Sequence, residues 1–120
     1  MRTASLGIVA AVGLVCVGAA NAQAFVSGNE LLRQCEEDQR VGVGAAFCTG
    51  YVAAVADRAN DGLSGDTTRV CLPPTVELGQ LVRVVKKYLN DRPTFLHFQA
   101  WVLVQGAIQN TYPCSKPQQK

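Results

Sequence analysis

The sequence predicts an all-α protein, a small four-helix antiparallel bundle with two disulfides. Three observations carry that reading. Apolar residues recur at helical spacing in separate stretches. The breaks between them are short and rich in Gly, Asn, Asp and Pro. Four cysteines fall where the ends of neighbouring helices would meet.

The chain has 120 residues, and its first 22 read as a leader, not as part of the fold. Arg2 is followed by an apolar run from Leu6 to Ala20 and then by Ala20-Asn21-Ala22, the small residues a signal peptidase selects. Cleavage is expected between Ala22 and Gln23. Val15 stands before Cys16 where a lipoprotein signal needs a small residue. The expected destination is the periplasm, with no membrane attachment after cleavage. About 100 residues then remain, enough for one domain. That domain is expected over 23–114, with 115–120 as a disordered tail.

Ser27-Gly28-Asn29-Glu30 has the form of a capping box, with Val26 and Leu31 placed as its hydrophobic staple. The first helix is expected to run to about Gln39, with Leu31, Leu32 and Cys35 on one face, until Gly42-Val43-Gly44 breaks it. In the second, Cys48, Tyr51, Val52, Val55, Ala56 and Ala59 form one stripe at i, i+3, i+4, i+7, i+8 and i+11. Asn60-Asp61-Gly62 ends it, with Asn60 or Gly62 able to take the left-handed conformation. Thr75 is the expected cap of a third helix carrying Leu78, Leu81, Val82, Val85, Tyr88 and Leu89. The fourth, from Phe95 to Ile108, has apolar residues in nearly every direction, which predicts a central helix enclosed on several sides. His97 would sit in its first turn.

With Cys16 gone, Cys35, Cys48, Cys71 and Cys114 form an even set in a short exported chain, which reads as two disulfides. A zinc site is disfavoured because there is no Cys-x-x-Cys pair. In an antiparallel hairpin the end of helix one lies beside the start of helix two, which favours Cys35 with Cys48. The start of helix three likewise lies beside the end of helix four, which favours Cys71 with Cys114. The other two pairings stay open at this stage. The chain-entropy model assigns roughly 3 kcal/mol to the first bridge and roughly 4 kcal/mol to the second.

Composition excludes several functions. Eleven basic side chains face nine acidic ones with no basic run, so nucleic acid is not an expected partner. His97 is the only histidine, and no Gly-x-Ser-x-Gly elbow or phosphate-binding loop is present. Asp57, Asp61 and Asp66 lack calcium-loop spacing. No catalytic residue, metal or cofactor is expected.

Specific residues say more. Phe47-Cys48-Thr49-Gly50-Tyr51-Val52, Val70-Cys71-Leu72-Pro73 and Gln80 with Val84-Val85-Lys86-Lys87-Tyr88-Leu89 follow one another along the chain. Pro93, His97, Ala100, Leu103-Val104, Ala107 and Tyr112-Pro113-Cys114 complete the set. Together they resemble the Rap/Tai family of immunity proteins, associated with type VI secretion amidase toxins of Gram-negative bacteria. Ala54 stands where that family's pattern has glycine, and Tyr112 where it has phenylalanine. The resemblance implies a periplasmic, disulfide-bonded, non-enzymatic inhibitor that blocks a peptidoglycan amidase, often as a homodimer. A helical stress chaperone of the HdeA type is the alternative, although few acids and one histidine give acid-triggered unfolding little to act through.

With most helical faces occupied by packing, partner binding is expected on a loop held by a rigid scaffold. The segment from Asn60 to Val70 is the longest connection and is polar and Gly-rich. Asp61, Asp66 and Arg69 are its expected polar contacts.

Overall fold

The computed structural model describes residues 25–37, 42–61 and 68–114. The expected leader over 1–22, the expected tail over 115–120 and Asp66 lie outside the described residues. Within them the order is α1 (Gly28–Glu36), α2 (Val43–Asn60), α3 (Leu78–Asn90), a 3-10 turn at Pro93–Phe95 and α4 (Ala100–Thr111). Extended pairing among the described residues is confined to two isolated bridges, Ser27 with Gln99 and Val70 with Pro113. The all-α bundle and both expected disulfides are present. Cys35–Cys48 ties α1 to α2 across a Cα separation of 5.0 Å. Cys71–Cys114 ties the segment before α3 to the segment after α4 across 4.9 Å.

α1 starts as half a capping box. The Ser27 Oγ accepts the Glu30 backbone N–H at 3.2 Å. The Glu30 carboxylate does not reach back, because Arg33 at 2.7 Å and Gln34 at 2.8 Å occupy it. Those donors, Arg33 first, hold the carboxyl below its usual range. Leu31 and Cys35 face inward, and the helix ends at Glu36, three residues before the expected Gln39. Of the expected breaker, only Gly42 breaks: its φ of 144° lies where side-chain-bearing residues rarely go. Val43 and Gly44 already belong to α2.

The α2 stripe is present, with Cys48, Val52, Ala56 and Ala59 buried and Tyr51 and Val55 half-buried beside them. Asn60 stays helical, and Asp61 at the C-cap has ordinary αR angles. α3 begins later than expected. Thr75 lies in a turn in which the Pro73 carbonyl accepts the Val76 N–H at 3.1 Å, and Glu77 is the N-cap. Its core stripe is Leu81, Val82, Val85 and Leu89, while Leu78 is exposed.

The largest departure is at the fourth helix. The expected continuous helix from Phe95 is a 3-10 turn followed by an extended Gln99 (φ −60°, ψ 130°) and then α4. Backbone bonds to the start of α1 impose this geometry. The Gly28 N–H donates to the Phe98 carbonyl at 2.9 Å and the Asn29 N–H to the Leu96 carbonyl at 2.8 Å. The Ala100 N–H donates to the Val26 carbonyl at 3.0 Å. Two helix N-termini thereby satisfy part of each other's unpaired donors. His97 consequently sits in the turn before α4, exposed, and not in the helix.

This junction admits no side chain at Gly28. A Cβ there would strike the Leu103 side chain and lie 2.9 Å from the Leu96 carbonyl oxygen, which the backbone holds in place. Gly28→Ala is therefore expected to cost about 1–3 kcal/mol, the usual range for overpacking. Urea denaturation measures it, and a neutral or stabilising result would mean that the junction yields freely.

Candidate protein-binding face

α4 is enclosed on one side only. Ala100, Leu103, Val104, Ala107 and Ile108 are buried at i, i+3, i+4, i+7 and i+8. Trp101 and Val102 lie off that stripe and are 49% and 44% exposed. Phe95 and Phe98, in the turn before α4, are 46% and 47% exposed. The expectation of a helix enclosed on several sides is corrected accordingly. Its excess apolar residues form a surface.

That surface is continuous. Phe47, exposed on α2, stacks on Tyr51 at 5.8 Å between ring centroids. Tyr51, Ala54, Val55 and Arg58 line a cleft of about 470 Å³ whose far wall is Trp101 and Gln105. On the other side of Trp101 a second cleft of about 460 Å³ runs over Phe98, Phe95, Val102 and Tyr88. Phe95 and Phe98 lie 5.9 Å apart, and the Arg92 guanidinium covers the Tyr88 ring at 3.9 Å. Trp101 thus divides two clefts in the middle of an aromatic face.

The central side chains are held in place. The Trp101 Nε1–H donates to Gln99 Oε1 at 2.7 Å, so the indole needs no partner for its polar edge. Burial raises the pKa of the Tyr51 hydroxyl, opposed in part by a backbone hydrogen bond with Trp101. The Gln105 Nε2–H donates to the Thr68 carbonyl at 2.8 Å, which brings the end of the 61–69 connection to the rim of the face.

The connection expected to bind a partner is pinned at its base. The Val70 N–H donates to the Ala59 carbonyl, and the Leu72 N–H to Asn60 Oδ1, each at 3.1 Å. The Cys71 N–H donates to the Tyr112 carbonyl at 3.1 Å beside the Cys71–Cys114 bridge. Asp61 is exposed at the end of α2, and Arg69 is exposed next to buried Val70. Asp66 lies outside the described residues. The aromatic face itself is what sequence reasoning missed, although a signal was available. The stripe from Ala100 to Ile108 is complete without Trp101, Val102, Phe95 or Phe98.

Among the described residues no cluster of His, Cys, Asp and Glu could hold a metal, and no polar or charged residue is buried. No described helix is long and apolar enough to cross a membrane. The sequence instead matches a known family. The model of the Rap1a immunity proteins matches residues 27–114.

The chain belongs to the Rap1a immunity protein family.

No curated protein matches it. Family membership makes this an immunity protein against a toxin, so its partner is a protein. The Rap1a match covers α1 through the second disulfide and hence both walls of the aromatic face. The Tyr112 hydroxyl accepts the Gln80 amide at 3.0 Å. Ala54 lines the cleft beside Tyr51.

Proposed function

We propose that this Rap1a family protein is exported to the periplasm, loses its leader, and there inhibits a peptidoglycan amidase delivered by type VI secretion. The observation that carries the binding role is the ordered aromatic face centred on Trp101. Aromatic side chains ringed by polar groups, with the Trp101 indole N–H bonded to Gln99, are the composition of an interface centre. Asp61 and Arg69, at the described ends of the connection, and Asp66, outside the described residues, are the polar contacts of this reading. Inhibition follows from occlusion of the amidase cleft and requires no chemistry from the inhibitor. The chaperone alternative gains no support, since among the described residues no buried charged side chain awaits protonation.

The test seeks a peptidoglycan amidase in the neighbouring reading frame and pairs the mature protein with it. One equivalent should abolish release of peptidoglycan fragments, and N-terminal sequencing of the exported protein should begin at Gln23. Undiminished amidase activity at a large molar excess would defeat the proposal.

A further inference from the structure

The two disulfides occupy opposite surroundings. Cys35 and Cys48 are both 0% exposed, locked between α1 and α2 in the core. Cys71 is exposed and Cys114 half-buried, at the edge where the segment leading to α3 meets the end of α4. Thiol–disulfide exchange requires a thiolate to reach a sulfur atom, so access governs its rate. A reductant can approach the second bridge in the native fold. It can reach the first only after α1 and α2 part locally.

We propose that Cys71–Cys114 is a redox latch: a dithiol reductant opens it while Cys35–Cys48 stays closed, leaving the segment before α3 joined to the end of α4 by non-covalent ties, the Cys71 N–H bond to the Tyr112 carbonyl and the Val70–Pro113 bridge. One thiolate of the dithiol attacks the Sγ of Cys71, the more exposed residue of the pair, and Cys114 leaves as a thiolate that takes up a proton. The second thiol of the reductant, deprotonated, then displaces Cys71 from the mixed disulfide. Two protein thiols form, and the dithiol is oxidised to its own disulfide. The loosening is local for three reasons. Cys35–Cys48 still closes the α1–α2 hairpin, Val70 stays buried, and the Val70–Ala59 and Leu72–Asn60 bonds need no disulfide.

The consequence reaches the aromatic face through Thr68, whose carbonyl holds Gln105 in the wall of both clefts. Without its covalent tie the segment parts from α4 more often, which weakens the Thr68–Gln105 bond and with it capture of the toxin. This last step rests on the function proposed above; the selectivity of reduction does not.

The experiment uses the oxidised mature protein. Dithiothreitol is added under native conditions, samples are alkylated over time, and peptides are mapped by mass spectrometry. Cys71 and Cys114 should be alkylated at least about tenfold faster than Cys35 and Cys48, with helical circular dichroism retained. Equal rates, or earlier loss of Cys35–Cys48, would overturn the latch. The singly reduced, alkylated protein should then inhibit the amidase about tenfold more weakly than the oxidised protein. Equal inhibition by the two forms would overturn its coupling to binding. Failure of the oxidised form itself to inhibit would count against the immunity reading, while the alkylation rates would still decide the latch.

Discussion

Ile108→Ala should lower the unfolding free energy by about 2–5 kcal/mol, the range for large-to-small changes at fully packed sites. Ile108 is 0% exposed and lies on the face of α4 that closes the core with Leu31, Val52, Val85 and Leu89. Such a loss is a large part of the 5–15 kcal/mol that holds a typical domain together. The control lies on the same helix. Val102 is also β-branched and apolar but 44% exposed, and Val102→Ala should cost less than about 0.5 kcal/mol. Chemical denaturation of the two variants therefore separates the faces of α4. Equal, large losses at both positions would restore a helix enclosed on all sides and remove the free surface.

Much of the bundle was legible because its determinants are local. The α2 stripe from Cys48 to Ala59 is a periodicity, and Ser27 capping Glu30 is a four-residue motif. The disulfide pairing follows from short connections between antiparallel neighbours. The start of α4 was not legible, because it is fixed by backbone bonds between the Val26–Asn29 and Leu96–Ala100 segments. Main-chain donors and acceptors leave no residue-type signature. Where the helix start moved, the meaning of the aromatic residues moved with it. Phe95 and Phe98 belong to a turn, and Trp101 sits in the first turn of α4, pointing off its buried stripe. A helix averaged over all its apolar residues looks enclosed, whereas one sorted by the stripe has residues to spare.

Those spare residues carry the second large effect. Trp101→Ala should weaken toxin inhibition at least about thirtyfold, equivalent to about 2 kcal/mol, the level that marks an interface hot spot. The reasons are on the surface itself. Trp101 borders both clefts, its indole N–H is already bonded to Gln99, and its backbone meets the Tyr51 hydroxyl. A partner that docks there gains the area of an indole without ordering a loose side chain or desolvating an unpaired donor. Truncation to alanine should cost the fold less than Ile108→Ala does, since half of the residue is in water. Asp61→Ala and Arg69→Ala, on the edge formed by the 61–69 connection, should each cost less than about 1 kcal/mol, as exposed polar contacts at a rim do. Inhibition titrations with the amidase rank the three variants. Sedimentation velocity of Trp101→Ala in the absence of toxin shows whether the face also pairs two copies of the chain. Full inhibition by Trp101→Ala, combined with a large loss in the Asp61 and Arg69 variants, would move recognition from the aromatic face to the pinned connection beside it.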